Sequence, residues 1–256
     1  MSERARARLG SLARLLCVCV AGAAPAAARS TEAALPPEEI LRRADVGALS
    51  PESFRARMRL TAGARPPLEV EVWRKGEART LVRFLGAKEK GRYLLRLGDA
   101  LWFLAPDAKR PVRLGPSYRL RGSATLDDVL GVRYARDYRV RASAEGEDGL
   151  VVLDLVARAP AALYPAVRYV VARATLRPVR AEYRLPSGKV ATIVEFADWS
   201  RGPRPYPSRL LLRDALHGGT VTTVDVEEME ERSVPAALFD LADPTERLRL
   251  EALGLP

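Results

Sequence analysis

Alternating apolar and polar positions predict β-strands along most of this chain. Large apolar side chains recur through residues 93–97, and a Gly98-Asp99 turn leads into a second apolar run, residues 101–104, which stops at Pro106. An Arg-rich return strand follows up to Gly122. Because the second run carries an aromatic pair and is apolar throughout, it predicts a surface that holds something apolar.

Eight further segments are typical of strands, because they alternate or stay apolar over strand length. They are residues 68–73, 80–85, 151–156, 167–172, 179–185, 190–196, 209–213 and 220–226. Short turns such as Pro186-Ser187-Gly188 and His217-Gly218-Gly219 predict that consecutive strands are hairpin neighbours in one antiparallel sheet. Ten or so strands with few helices exclude a parallel α/β sheet. We therefore predict a mainly β (α+β) fold, with a large antiparallel sheet curved partly into a barrel and closed by short helices.

Three short helices have marked ends. The first spans residues 36–44, with prolines and acidic residues in its opening turn and arginines in its closing turn, which suits the helix dipole. The second spans residues 126–130, because Thr125 and Asp128 form a capping box. The third spans residues 243–253, where leucines require a surface to bury against.

The N-terminal segment is typical of a signal peptide. Arg4, Arg6 and Arg8 precede an apolar core at residues 15–24, and Ala26 and Ala28 stand at the two specificity positions of a signal peptidase. The apolar core is shorter than the roughly 20 residues that span a bilayer, which disfavours the alternative of a membrane anchor. Lipid attachment is also disfavoured, because the residues before Cys17 and Cys19 do not fit a lipoprotein signal. We predict a signal peptide over residues 1–28, one domain over residues 29–256, and a periplasmic location.

Charge and cysteine content narrow the function further. The formal net charge is +10 and falls to +7 without residues 1–28, which carry four Arg and one Glu. The arginines are spread singly along strands, so we interpret them first as a solvated basic surface. The alternative is that they bind anionic phospholipid, and nucleic acid is not an expected partner. Both cysteines lie in the signal segment, so no disulfide framework is expected in the predicted mature chain.

No constellation in the sequence predicts catalysis. His217 is the single histidine and sits beside two glycines, so we interpret it as a turn residue and expect no nucleophile–base pair. Two acidic clusters are present, at residues 127–137 and 227–231. They could in principle bind calcium or do acid/base work, but Asp128 is needed as a helix cap and the glutamates would be solvated or protect a sheet edge. We predict no enzymatic activity, no metal and no cofactor.

The segment from Lys90 to Tyr138 resembles the periplasmic outer-membrane lipoprotein-sorting proteins, relatives of the lipoprotein carrier LolA. It has a Leu-Trp strand, a proline, a basic return strand, Gly-Ser, an Asp-rich helix and Asp-Tyr. The matching positions are Trp102, Pro106, Arg110, Gly122, Ser123, Asp127, Asp128, Asp137 and Tyr138. The resemblance is looser in the PSGKV turn and the YPSRLLLRD strand, and extends from Glu38 to the ALFDL segment at Ala237.

This resemblance implies an unclosed antiparallel half-barrel whose concave apolar face, lidded by helices, holds acyl chains. One alternating face per strand supplies the candidate lining residues. They are Val70, Val72, Phe84, Leu95, Trp102, Leu104, Tyr183, Ile193 and Phe196, and Arg110 and Arg113 are candidates for contact with a head group or the lid. The helix over residues 36–44 is the candidate lid.

The resemblance favours a periplasmic carrier that binds lipid or lipoprotein acyl chains, for lipoprotein sorting or lipid transport to the outer membrane. Implied partners are an inner-membrane transporter and an outer-membrane acceptor, and we expect a monomer. Two alternatives remain open. One is an envelope-stress sensor that detects mislocalised lipoproteins with the same fold, and the other is an envelope hydrolase.

Overall fold

The structure, a computed structural model, describes residues 35–240 with the exception of residues 109, 116, 117, 131, 161 and 203. The predicted signal peptide, its cleavage site and the predicted helix over residues 243–253 lie outside the described residues. None of the helices in the described part has the length and apolar character that crossing a membrane requires.

Strands dominate the described part of the chain. In order they are β1 (Ser53–Ala62), β2 (Leu68–Lys75), β3 (Arg79–Phe84), β4 (Tyr93–Leu97), β5 (Ala100–Leu104), β6 (Val112–Leu114), β7 (Arg119–Arg121), β8 (Ala124–Thr125), β9 (Tyr138–Glu145), β10 (Leu150–Ala157), β11 (Ala166–Ala172), β12 (Arg177–Arg184), β13 (Val190–Trp199), β14 (Pro207–Asp214) and β15 (Val221–Glu231). The α-helices are α1 (Pro37–Arg43), α2 (Val46–Leu49), α3 (Leu126–Leu130) and α4 (Tyr134–Asp137). Three 3-10 turns occupy Ala87–Glu89, Glu147–Gly149 and Ala236–Phe239.

Thirteen of these strands form one antiparallel sheet in the order β6-β5-β4-β3-β2-β1-β15-β14-β13-β12-β11-β10-β9, and β7 pairs with β8 separately. We call β1–β6 the first arm and β9–β15 the second arm. Within each arm neighbouring strands are consecutive in the chain, which confirms the predicted hairpin order. The arms meet where β1 pairs with β15, and the sheet ends at β6 and β9 without closing into a barrel. The predicted antiparallel, unclosed fold is therefore confirmed.

Two strands of the large sheet, β1 and β9, were not predicted from the sequence. In β1, arginines alternate with buried apolar side chains, so the pattern has period two but little total hydrophobicity. In β9 nearly every side chain is exposed, because the strand lies at the sheet edge. The Arg-rich return strand predicted after Pro106 is instead two short strands, β6 and β7, in different sheets.

The hydrophobic core lies on one face of the sheet, here called the inner face. Alternate residues of β1, such as Met58 and Leu60, and of β2 are fully buried there with residues of β10, β11 and β12. Side chains of α1, α3 and α4 complete the core. Since the two arms are far apart along the strand order yet share one core, the sheet curves around its inner face, and bulges in four strand pairings assist that curvature.

The outer face is covered mainly by charge. Glu71 is only 4% exposed at its side chain and accepts hydrogen bonds from Arg55, at 2.5 Å, and from Arg83. Farther along, Glu227 pairs with Arg59 at 2.7 Å and with Arg57 at 3.6 Å. The suggestion that the glutamates after residue 226 protect a sheet edge is wrong, because β15 is an interior strand.

A small apolar region interrupts this charged face, and we call it the outer patch. It comprises Trp73, Leu81, Tyr93, Leu95, Leu104, Val234, Leu238 and Phe239, with Trp102 and Leu97 partly buried beside them. The 3-10 turn Ala236–Phe239 covers the strands, and Lys75 donates a 2.8 Å hydrogen bond to the carbonyl of Val234. The outer patch is thus closed by the chain itself.

Candidate functional site

Residues 124–137 run across the inner face and carry α3 and α4, and we call this segment the cover. It begins with the predicted capping box, which is confirmed: Asp128 Oδ2 accepts hydrogen bonds from the Thr125 amide at 2.8 Å and hydroxyl at 2.7 Å. In return, the Thr125 hydroxyl accepts from the Asp128 amide at 3.3 Å. This reciprocal pairing satisfies amide donors at the start of a helix too short to stabilise itself.

On the side of the second arm, buried hydrogen bonds hold the cover. Asp45, only 2% exposed, accepts amide hydrogen bonds from Tyr134 at 3.1 Å and Ala135 at 3.0 Å, as well as one from Gly47 at 3.1 Å. One carboxylate thus joins α2 to α4. Burial raises the pKa of Asp45, and the three amide donors oppose that rise.

Tyrosines extend this buried network. The hydroxyls of Tyr134 and Tyr183 lie 2.5 Å apart, and Tyr169 donates a 2.6 Å hydrogen bond to the carbonyl of Ala44 at the end of α1. The Tyr134 and Tyr169 rings stack with centroids 4.3 Å apart. Burial raises the pKa of all three hydroxyls, so they remain protonated donors at neutral pH.

On the side of the first arm, the attachments are ion pairs near the surface. Arg96 of β4 pairs with Asp127 of α3, whose side chain is 51% exposed. Glu77, which follows β2, accepts from Arg133 at 3.1 Å and Arg136 at 3.4 Å. Asp137 also pairs with Arg136, at 2.7 Å. The acidic cluster at residues 127–137 therefore serves as helix cap and ion-pair partner.

A cavity of about 430 Å³ lies between the cover and the two arms, and we call it the inner cavity. Its apolar wall contains Tyr138, Tyr164 and Tyr183 with Val132 and Leu163. Its polar lining comprises Arg74, Glu77, Thr80, Arg96, Thr125, Asp127, Asp128, Arg133, Arg136 and Asp137. The volume is typical of small-molecule sites, and the lining is amphipathic, with ten polar residues, eight of them charged, opposite six apolar or aromatic ones.

Burial shifts the pKa of two of the polar groups, Arg74 and Asp128. Burial lowers the pKa of Arg74 to about 10, and the nearby positive charge of Arg133 adds to this. Arg74 remains a cation at neutral pH, with its Nε donating to the carbonyl of Gly76 at 3.0 Å. Burial raises the pKa of Asp128 to about 6, against the effect of its two Thr125 donors.

The residues predicted to line a lipid site divide between the two faces. Val70, Val72, Phe84, Tyr183 and Phe196 face the inner core, but of these the inner cavity is lined only by Tyr183. Leu95, Trp102 and Leu104 belong to the outer patch, and Ile193 alternates with the core residue Val194 and so points to the outer side. The structure therefore places five of the nine positions in the inner core and three in the outer patch, and Ile193 lies on the outer side apart from that patch.

The two candidate head-group arginines lie elsewhere. Arg110 is exposed before β6, and the Arg113 guanidinium stands 5.9 Å from the centre of the Trp102 ring at the outer patch. The arginines that line the inner cavity, Arg74, Arg96 and Arg133, were missed in the sequence. Arg74 and Arg96 interrupt apolar strands on the inward-facing positions, and that register is the signal that could have identified them.

A second cavity, of about 460 Å³, lies where the β1–β2 and β14–β15 turns meet the β7–β8 hairpin. His217 lies in the β14–β15 turn, as predicted, and its Nδ1 is 3.2 Å from the Asp214 carboxylate, which also pairs with Arg119 at 3.2 Å. Gly122 permits the hairpin to dock, since a Cβ there would lie 2.8 Å from the Ala62 Cβ. Asp214 thus serves to tie the hairpin to the turn.

The fold of this chain, an open antiparallel sheet with short helices on its inner face, is similar to that of three solved structures. A LolA superfamily protein from Nitrosomonas europaea is 25% identical, with a TM-score of 0.69 and coverage of 81% of this chain and 98% of that one. A DUF1329 family protein from Desulfovibrio piger is 15% identical, with a TM-score of 0.65 and coverage of 79% and 95%. A domain described as an outer membrane lipoprotein-sorting protein, from Vibrio parahaemolyticus, is 15% identical, with a TM-score of 0.63 and coverage of 79% and 95%.

The fold is therefore LolA-like, as the sequence resemblance implied. A family model with the description “-like: Uncharacterized protein” matches residues 76–243, more than half of the chain, and the chain belongs to that family. A search of the curated proteins gives no match.

Proposed function

We propose that this protein is a periplasmic carrier that binds acyl chains of lipid or lipoprotein in the inner cavity and releases them without covalent chemistry. The observation that carries this proposal is the cavity itself, enclosed between the two arms and the cover of a LolA-like fold. The predicted signal peptide and this fold support the periplasmic location. We further propose a membrane transporter as donor and an outer-membrane protein as acceptor.

The chemistry of the cavity wall suits reversible binding. Transfer of an acyl chain from water to an apolar site stabilises it by about 0.8 kcal/mol for each buried CH₂. The wall provides Val132, Leu163 and tyrosine rings, and Leu163 is 47% exposed beside the opening. Such a site needs no nucleophile, which agrees with the absence of a predicted catalytic constellation.

A longer chain would compete with the protein's own core. Ile40 and Leu41 of α1 are almost fully buried on the inner face next to the cover. An acyl chain that extends beyond the cavity must replace such contacts, so ligand binding and helix packing share one apolar surface. The lid role of α1 stays a prediction, and Gly47, which was expected as a hinge, lies within α2 with its amide bound to the Asp45 carboxylate at 3.1 Å.

The test is cavity filling. Ala162 lines the inner cavity from the loop between β10 and β11, whereas Ala64 lines the second cavity. We expect Ala162→Trp to reduce the affinity for a dansyl-labelled undecanoic acid by at least about tenfold, because the indole would occupy the space of the chain. Ala64→Trp is the matched control and should bind as the parent does.

Circular dichroism and thermal unfolding would establish that both variants fold. Parent-like binding by folded Ala162→Trp would contradict the proposal, and loss of binding only in Ala64→Trp would assign the ligand to the second cavity. Native mass spectrometry of protein purified from the envelope would identify any lipid that co-purifies.

A further inference from the structure

The charged groups around the inner cavity are arranged asymmetrically. Three of the four arginines that line the cavity, Arg74, Arg96 and Arg133, lie farther inward than the carboxylates around them, whereas the Arg136 side chain is 51% exposed. Arg74 is 4% exposed as a residue, and the side chains of Arg133 and Arg96 are 18% and 24% exposed. The carboxylate side chains are more accessible, at 49% for Glu77, 51% for Asp127 and 39% for Asp137. Because solvent screens the outer carboxylates more strongly than the inner guanidiniums, an anion inside the cavity would meet a net attraction.

Arg133 carries a hydrogen-bond donor that has no acceptor among the described residues. Its terminal nitrogen binds Glu77 at 3.1 Å, but its Nε is buried without a hydrogen-bond partner. A buried donor left unsatisfied costs about 1–3 kcal/mol, so a ligand that brings an acceptor oxygen would recover that cost. Arg133 begins the last turn of the cover, and its side chain is among those that line the cavity.

The lowered pKa of Arg74, on β2, is consistent with the same positive potential. Besides burial, the positive charges of Arg133, Arg96 and Arg136 lower its pKa, and Glu77 opposes them. Asp128, on the cover, also lines the cavity, and its Oδ2 already accepts hydrogen bonds from the Thr125 amide and hydroxyl. In its ionised form this carboxylate offsets part of the positive potential of the arginines.

We propose that the inner cavity recognises the anionic group of an amphiphile, a phosphate or a carboxylate, through Arg133 and Arg74, with the acyl chain against the tyrosine wall. This inference rests on the proposed function, which requires only the acyl chain. A guanidinium presents paired donors in a plane that fits two anionic oxygens, and such charge-assisted bonds are about twice as strong as neutral ones.

The experiment compares three probes that share one chain: dodecyl phosphate, dodecanoic acid and dodecanol, each titrated calorimetrically into the full chain. We expect the parent to bind both anions at least about tenfold more tightly than the alcohol. In Arg133→Gln the three affinities should converge to within about threefold, through weaker binding of the anions and unchanged binding of dodecanol. Arg113→Gln is the matched control, because Arg113 lies at the outer patch, and it should keep the preference.

Each result separates the two proposals. If none of the three probes binds, the carrier proposal fails and the inference with it. If dodecanol binds as tightly as the anions, the carrier proposal stands and the inference fails. Inorganic phosphate alone is a fourth probe. If it binds as tightly as dodecyl phosphate, the proposal that the ligand is an amphiphile fails and free phosphate is the ligand.

A preference for phosphate over carboxylate would point to a phospholipid-like ligand and the opposite preference to a fatty acid, and either supports the inference. If Arg133→Gln does not fold, Arg133→Lys provides the second variant. It keeps the charge but loses the planar donors, so we expect an intermediate preference, and an undiminished preference would exclude Arg133 as the recognising group.

Discussion

The two sides of the cover are attached in different ways. Toward the second arm, Asp45 and the Tyr134–Tyr183 pair hold it through buried hydrogen bonds. Toward the first arm, it is held by ion pairs whose carboxylates, such as Asp127 and Glu77, are about half exposed. Exposed ion pairs contribute roughly 0–1 kcal/mol each and are screened by salt, whereas buried donors are costly to leave unpaired. We therefore expect the cover to hinge at the second arm and to open toward the first.

The largest effect should follow from Asp45→Ala. The change removes the acceptor of three amide donors in a site that water does not reach, so the free energy of unfolding should fall by about 3 kcal/mol. Urea denaturation measures this. Asp45→Asn retains one acceptor oxygen and should lose less. A loss below about 0.5 kcal/mol for the alanine variant would mean that the buried side is not the stronger attachment.

The second-largest expected effect is a pH dependence of the free energy of unfolding, caused by Asp128 at the start of the cover. Burial raises the folded pKa of Asp128 from its ordinary 3.8 to about 6, so the folded state binds this proton more tightly than the unfolded chain does. Its contribution to stability is therefore complete below about pH 4 and is lost as the pH rises through about 6. The parent should lose on the order of 2 kcal/mol relative to Asp128→Asn over that interval.

Urea denaturation of both proteins at about pH 4 and about pH 7 gives this difference. Asp127→Asn is the control: the Asp127 carboxylate is half exposed and is a minor cause of the raised pKa of Asp128, so this variant should keep most of the pH dependence of the parent. Parallel pH profiles for the parent and Asp128→Asn would show that the carboxyl is not desolvated as the structure indicates.

The smallest effect on stability should come from Glu77→Gln. This change removes the ion pairs with Arg133 and Arg136 and should alter the free energy of unfolding by less than about 1 kcal/mol. Acyl-probe uptake, measured by stopped-flow fluorescence, should nevertheless become about twofold to fivefold faster, because the first-arm attachment weakens. Higher ionic strength should accelerate the parent similarly.

Glu145→Gln is the matched control for that change. Glu145 pairs with Arg173 at the edge of the second arm, and its side chain is 70% exposed. Uptake by this variant should equal that of the parent. Slower uptake in Glu77→Gln, or equal acceleration in both variants, would show that the first-arm ion pairs do not control the opening.

Local patterns in the sequence were sufficient for most of the fold. Period-two runs located most of the sheet strands, and the Thr125–Asp128 spacing located α3 with its cap. Hairpin turns gave the order within each arm. These features depend on residues close in the chain, and for that reason one sequence reveals them.

The site depends on contacts that no local pattern encodes. Asp45 meets α4 across a long stretch of chain, and its sequence context shows only an acid after a helix. Which side chains of β4 and β5 face the inner core also cannot be determined from the local sequence, because both faces of these strands carry large apolar residues. Only the position of the strands in the complete sheet decides it. The sequence pattern therefore predicts Leu95, Trp102 and Val70 in one cavity. In the structure Leu95 and Trp102 belong to the outer patch, and Val70 belongs to the inner core.

The pairing of β1 with β15 has a consequence for how the chain folds. Every other ladder in the large sheet joins strands that follow one another, so each arm can grow from hairpins at small loop-closure cost. The β1–β15 ladder instead joins Phe54 to Glu231 and must wait for distant parts of the chain to meet. We expect its formation to limit the folding rate, and until it forms, each half-sheet exposes a long edge that a second chain in the same state could occupy.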